Sequence, residues 1–322
     1  MLPAKDRLTI CFAHVAYQFQ AQFEARATGL ASFQVWNRED LAARIGEADV
    51  LVISGFWNND LIPKASKLKF IQSISAGVDQ YSKEGLAAAG IRLASAQGAN
   101  ARAVSEHALA LILALARRLP EARDNQARHV WRGMIGDLTQ REDELGGKTL
   151  LVVGLGRIGS RLAQLGRALD MKVIGVKRDP TRGGDAADEV VGLDGLSGAL
   201  PRADYVALTC PLTPETTGLI GAAALGRMKA SAFLINCARG KVVDETALVD
   251  ALRHKRIAGA GIDVTQEEPL AADSPLWGLE NALVTPHTGG ETRSYEANVL
   301  DLMRENLERL WRGETGLKNQ VV

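Results

Sequence analysis

Three charged or titratable residues stand just past apolar runs in the second half of the chain. Arg239 follows Ala232–Asn236 in NCARGK, Glu268 follows Ala260–Asp263 in GIDVTQEEPL, and His287 follows Ala282–Thr285 in VTPHTGG. If those runs are parallel strands of one sheet, the three residues gather beyond its carboxyl edge, where open α/β sheets bind ligands. There a guanidinium can hold an anion, an imidazole can carry a proton near neutral pH, and a carboxylate can orient that imidazole. Each residue also has an ordinary alternative: a solvated surface Arg, an acidic turn before Pro269, and a structural His after Pro286. A fourth pattern favours a site. GLGRIG at residues 154–159 follows the run Thr149–Val153 and opens the helix-patterned stretch SRLAQL. Strand, glycine turn and helix in that order form the context of a dinucleotide-binding motif. Gly154 permits the tight turn, Gly156 lets a pyrophosphate approach the backbone, and Gly159 lets the helix pack close to the strand. The N–H groups at the start of that helix, on Arg157 and Ile158, face the phosphates. The alternative is a glycine-rich turn with no ligand.

These residues must be positioned by strands and crossover helices. Short apolar runs alternate with helix-patterned segments in two sets. The first is Leu8–Ala13, Val50–Ser54, Phe70–Ile74 and Ile91–Ala94; the second is Leu150–Val153, Lys172–Val176, Tyr205–Thr209, Ala232–Asn236, Ala260–Asp263 and Ala282–Thr285. The alternation predicts parallel sheets, and continuously apolar runs predict strands covered on both faces. Two sets mean two α/β units, with the glycine motif in the second. Between them, Asn100–Arg118 carries Val104, Leu111, Ile112 and Leu115 at helical spacing and reads as a linking helix. Its apolar face is buried either at a dimer contact or inside its own chain. Arg128–Glu144 reads as a loop, and Thr292–Gly313 as a long helix with Leu300, Met303, Leu307 and Leu310 on one face.

Composition narrows the partners. The chain has 322 residues, and 38 basic side chains balance 38 acidic ones, so bulk attraction to nucleic acid or an anionic membrane is not expected. Three scattered cysteines make no disulfide framework, and with five dispersed histidines they make no metal-ligand spacing. A reducing cytoplasm fits. The N-terminal apolar run suits a first strand better than a signal peptide, and no run approaches the ~20 residues that span a bilayer. Cys210 and Cys237 lack an adjacent histidine, which argues against a nucleophile. Glu106 and His107, on the linking helix, read as packing or capping residues.

The ordered set SAGVDQ (75–80), GLGRIG, CPLTPETTGLI (210–220), NCARG (236–240), GIDV…EEPL and TPHTGG (285–290) resembles the D-isomer-specific 2-hydroxyacid dehydrogenases over nearly the whole chain. The resemblance implies an α/β fold of two Rossmann-like or flavodoxin-like domains with parallel sheets and an active site in the cleft between them. A substrate-binding domain would comprise residues 1–100 and 291–322, and a dinucleotide-binding domain residues 101–290. It implies an oxidoreductase that moves a hydride between NAD(P)H and a 2-keto acid to give a D-2-hydroxy acid, with glyoxylate and hydroxypyruvate as the natural small substrates. The family's catalytic Arg, Glu and His fall on Arg239, Glu268 and His287. Its carboxylate-binding loop falls on Ala76, Gly77 and Val78, which with Arg239 would hold the substrate. Its dinucleotide contacts fall on Gly154, Gly156, Arg157, Ile158, Gly159, Cys210, Pro211, Thr216, Cys237, Ala238, Asp263, His287 and Gly289, together with residues 177 and 178. No metal is implied, and a homodimer is.

The chain departs from the family's NAD pattern at one place. Where an acid usually ends the second strand and binds the adenosine ribose, MKVIGVKRDP places Lys177, followed by Arg178; Asp179 comes two positions later. Two cations suit a 2′-phosphate, so NADP is the expected cofactor, with NAD the alternative. Phe56 and Trp57 are candidates for a substrate wall or for ordinary core. Formate dehydrogenases, which resemble the same family, carry glutamine at the position of Glu268. The rival of a different class is a non-enzymatic dinucleotide-sensing corepressor, disfavoured by the short termini; an appended regulatory domain is not expected because the chain ends soon after the last helix.

Overall fold

The computed structural model describes residues 2–182 and 186–322. The chain divides into two compact units, Met1–Asn100 with Glu291–Val322, and Ala101–Gly290. The first contains β1 (Thr9–Ala13), α1 (Phe19–Glu24), β2 (Ala31–Val35), α2 (Arg38–Arg44), β3 (Val50–Ile53), β4 (Phe70–Ser73), α3 (Lys83–Ala88) and β5 (Arg92–Ala94). The second contains α4 (Ala101–Ala116), α5 (Leu119–Ala127), β6 (Thr149–Val153), α6 (Arg157–Ala168), β7 (Lys172–Val176), β8 (Glu189–Val191), α7 (Leu196–Ala199), β9 (Tyr205–Leu208) and α8 (Ala222–Leu225). It continues with β10 (Phe233–Asn236), α9 (Glu245–Arg253), β11 (Gly259–Ile262) and β12 (Ala282–Val284); α10 (Tyr295–Trp311) belongs to the first unit.

Among the described residues, the first unit's sheet runs β2-β1-β3-β4-β5 and the second's β12-β11-β10-β9-β6-β7-β8, with every pairing parallel. Both are the parallel α/β sheets that the alternating pattern predicts. The continuous apolar runs arise because successive side chains face two separate cores. Along β6, Leu151 and Val153 enter one core with Leu248 and Leu252 of α9. Leu150 and Val152 enter the other with Leu111 and Ile112 of α4 and Leu162 of α6. In the first unit, Ile10 and Phe12 face a core closed by Val299, Met303 and Leu307 of α10, while Cys11 and Ala13 face Leu41 and Leu86.

Three elements escape the sequence pattern. β2 and β8 are sheet edges, half-exposed and mixed in composition, so neither makes an apolar run. α5 has no buried residue and hence no apolar stripe. The linking helix α4 buries Val104, Leu111 and Ile112 in its own unit, which decides between the two expectations for that face. Trp57 is core rather than wall: it is buried against Tyr81, with ring centroids 5.6 Å apart. No helix among the described residues is long and apolar enough to cross a membrane.

Candidate active site

In the seven-stranded sheet the strand order reverses between β6 and β9, so the turns after these strands diverge and leave a crevice. Gly154 ends β6 at φ +104°, in the left-handed region, and a Cβ there would meet the Cys210 backbone at 2.6 Å. A Cβ on Gly159 would lie 2.1 Å from the Gly154 carbonyl oxygen. These two glycines therefore close the turn onto its neighbours. Gly156 differs: a Cβ there meets nothing within 4 Å. It is the N-cap of α6, and no side chain caps that end. Open space over a helix N-terminus fits a dinucleotide pyrophosphate, which would contact Gly156, Arg157 and Ile158.

Beyond β7, Lys177 is half-buried and Arg178 exposed. The Lys177 ammonium donates to the Arg182 carbonyl oxygen. Asp179 is folded into its own turn, accepting from the Thr181 N–H (3.1 Å) and hydroxyl (2.6 Å) and pairing with Arg182 at 3.2 Å. The loop after β9 is organised by Thr216, whose hydroxyl donates to the Pro211 carbonyl at 2.7 Å and accepts from the Thr213 N–H at 2.8 Å. Burial pushes the Cys210 thiol up to about 11, and the Cys237 thiol is raised by burial and by nearby Asp263, so both stay protonated at neutral pH. That is the opposite of an activated nucleophile.

Arg239, Glu268 and His287 follow β10, β11 and β12, three adjacent strands. The Arg239 loop is held by Asn236 at the end of β10. Its amide donates to the Arg239 carbonyl (3.2 Å), and its side-chain oxygen accepts from the Ala238 N–H (3.1 Å). Gly240 brings this loop against the next: a Cβ there would lie 1.9 Å from the Thr265 carbonyl oxygen. The sequence shows Asn236 and Gly240 inside NCARG without giving either a role; an asparagine ending an apolar strand before Arg239 is the available signal.

His287 Nδ1 donates to Glu268 Oε2 at 2.7 Å, leaving Nε2 for a ligand, and the imidazole is 46% exposed. Glu268 Oε1 accepts from the Thr265 N–H at 3.2 Å. Partial burial alone raises the Glu268 carboxyl. The hydrogen bond and charge of His287, the Thr265 N–H and the Arg239 charge outweigh it and hold the carboxyl below its usual range. A cation, an ionised carboxylate and an imidazole with one free nitrogen thus share one sheet edge, as their spacing predicts. Asp263, one residue past β11, is 4% exposed. Its oxygens accept from the Thr285 hydroxyl (2.7 Å) and from the Thr288 (3.0 Å) and Gly289 (3.1 Å) N–H groups.

In the first unit, Ala76, Gly77 and Val78 form a half-buried bend past β4. Ser75 braces it through the Ser54 hydroxyl (2.6 Å), which also accepts from Gln80 (3.2 Å).

A reversing parallel sheet with a glycine turn at its crevice, carrying a paired Glu–His and an Arg on adjacent strand ends, is the arrangement of an α/β protein able to hold a nucleotide and capable of acid–base chemistry. The sequence model described as "D-isomer specific 2-hydroxyacid dehydrogenase, NAD binding domain" matches residues 109–289. A D-3-phosphoglycerate dehydrogenase of Methanocaldococcus jannaschii is 37% identical over 89% of this chain and 53% of its own length. A glyoxylate reductase of Aeropyrum pernix is 35% identical over 87% of each chain. The crystal structure of a D-isomer specific 2-hydroxyacid dehydrogenase family protein from Aeromonas salmonicida superposes with a TM-score of 0.86 at 30% identity, covering 98% of this chain and 99% of that one. The chain belongs to the D-isomer specific 2-hydroxyacid dehydrogenase family. It spans about half the length of the curated phosphoglycerate dehydrogenases it matches.

Proposed function

We propose that the chain reversibly reduces a small 2-keto acid of the glyoxylate or hydroxypyruvate type to its D-2-hydroxy acid, using NADPH in preference to NADH. The observation that carries the reading is the 2.7 Å pair between His287 Nδ1 and Glu268 Oε2, which leaves Nε2 of a half-exposed imidazole for a ligand while the Arg239 charge acts on the same carboxylate. The Aeropyrum pernix relative, matched over 87% of both chains, supports the choice of substrate. A bound nicotinamide dinucleotide supplies the hydride that reaches C2 of the keto acid. Gly154, Gly156, Arg157, Ile158 and Gly159 would hold its pyrophosphate, and the loops bearing Cys210, Pro211, Thr216, Cys237, Ala238, Asp263 and Gly289 would flank its nicotinamide half. Arg239 binds the substrate carboxylate and polarises the adjacent carbonyl by charge-assisted hydrogen bonds. Within the first unit, the backbone N–H groups of Ala76, Gly77 and Val78 are the carboxylate-binding loop that the family resemblance implies. His287 gives its Nε2 proton to the carbonyl oxygen during reduction and takes it back during oxidation. Glu268 orients the ring and stabilises its cationic form.

NADPH is favoured because Lys177 and Arg178 occupy the end of β7 while Asp179 is engaged by Thr181 and Arg182. A homodimer is supported by zero net charge, which imposes no bulk repulsion, and by the outward apolar side chains Trp131 (97% exposed) and Met134 (fully exposed). Light scattering at twice the chain mass checks it. The central test is the initial rate of reduced-cofactor loss with glyoxylate, hydroxypyruvate, pyruvate and phenylpyruvate, each with NADPH and NADH. Fastest turnover of glyoxylate or hydroxypyruvate with NADPH supports the reading. Tight dinucleotide binding with no turnover of any acid refutes it in favour of a sensor.

A further inference from the structure

We propose that His107, on α4, is a positioning residue for His287, acting through Thr285 and Asp263. The proposal rests on His287 being the proton donor. His287 sits at φ +56°, a left-handed conformation unfavourable for a non-glycine residue that persists only where its surroundings enforce it. The enforcement is visible. The His287 N–H donates to the Asp263 carbonyl at 2.8 Å, and the Thr288 and Gly289 N–H groups donate to the Asp263 carboxylate at 3.0 and 3.1 Å.

That carboxylate is itself held by the linking helix. His107 Nε2 lies 3.0 Å from Thr285 Oγ1 and 3.2 Å from Asp263 Oδ1. Thr285 Oγ1 donates to the same Asp263 oxygen at 2.7 Å, so it can only accept from the ring. Nε2 therefore carries the proton, in the neutral and the charged imidazole alike. The ring also abuts the turn: a Cβ on Gly289 would lie 3.1 Å from His107 Cδ2 and 2.8 Å from Asp263 Oδ2. Burial raises the Asp263 carboxyl, but hydrogen bonds from His107 and Thr285, the His107 charge and the Gly289 N–H outweigh it and keep the group ionised. Without the Nε2–H, a 4%-exposed carboxylate loses one of its donors and the 285–289 turn its fixed anchor.

The test compares the full wild-type chain with His107→Leu, which keeps bulk but no donor, and His107→Gln, whose side-chain amide restores an N–H near the same place. The expected result for His107→Leu is a kcat about 10–100-fold lower, the cost of a catalytic group displaced by about an ångström. The keto-acid KM stays within about twofold, and hydrogen-exchange protection of the Thr288 and Gly289 amides is lost. His107→Gln regains most of both kcat and protection. Should the leucine variant fail to fold, His107→Phe, a ring without an N–H, replaces it. Unchanged protection at Thr288 and Gly289 in the donor-less variant overturns the proposal whatever the turnover. Equal losses in the Leu and Gln variants overturn it too, since ring packing rather than the N–H would then matter. A wild-type chain without turnover removes the proton-donor reading while the exchange comparison still decides whether His107 holds the turn.

Discussion

Gly240→Ala perturbs the alignment of Arg239 with the Glu268–His287 pair without touching any of the three. The added Cβ would lie 1.9 Å from the Thr265 carbonyl oxygen, 2.0 Å from its carbon and 2.5 Å from the Gln266 nitrogen. All three are backbone atoms, so no rotamer change relieves the clash. Ordinary contact begins near 3.4 Å, which requires the two loops to part by about 1.5 Å. One loop carries Arg239 in the preceding position; the other carries Glu268 three residues further on, tied to Thr265 by its N–H. Misplacing a catalytic group by about 1 Å costs on the order of 10²-fold, so kcat/KM should fall about 100-fold or more. Overpacking should also destabilise the chain by about 1–3 kcal/mol. The glycine turn at residues 154–159 is untouched, so the NADPH Kd should change by less than about threefold. Keto-acid initial rates, NADPH titration by tryptophan fluorescence, and a thermal melt read the three quantities. Wild-type kcat/KM in a folded Gly240→Ala variant would refute the claim that close approach of these loops sets the Arg239 position.

Other outcomes follow from the same geometry. His287→Ala should lower keto-acid reduction by roughly 10²–10⁴-fold, the range of a general acid, with NADPH affinity nearly unchanged; near wild-type turnover removes His287 from the mechanism. Glu268 is ionised at neutral pH because His287 and Arg239 hold its carboxyl down. Removing that negative charge in Glu268→Gln makes the cationic imidazole less favourable, so the pH above which reduction fades should move downward; an unmoved pH–rate profile would leave Glu268 a purely structural role. Lys177→Asp should weaken NADPH binding about 10–100-fold, the scale of one hydrogen bond to a charged group, and leave NADH little changed. Equal effects on the two dinucleotides, measured by calorimetry, would defeat the phosphate-reading role of Lys177.

Much of the site is legible in the sequence because its signals are local. A glycine turn between strand and helix is written in six consecutive residues, and Arg239, Glu268 and His287 each trail an apolar strand by a few positions. The strands themselves announce burial on two faces, so all but the edge strands β2 and β8 can be read directly. β2 and β8 combine an edge position with half-exposed, mixed residues that hide them, whereas the other two edges, β5 and β12, stay legible.

What folding alone decided are the contacts between segments far apart in the chain. His107 reads as a helix packing residue, yet it meets Thr285, 178 positions away, because α4 packs beside β10 and β11. Asp179 stands near the expected place of a ribose-binding acid, and only the turn shows it consumed by Thr181 and Arg182. Gly240 is one glycine among 32 until the Thr265 backbone is seen lying against it. Local sequence set which groups stand at the sheet edge, since strand and turn propensities act over a few residues. Tertiary packing set their alignment and partners, since ångström-scale approach depends on side chains that sequence order leaves far apart.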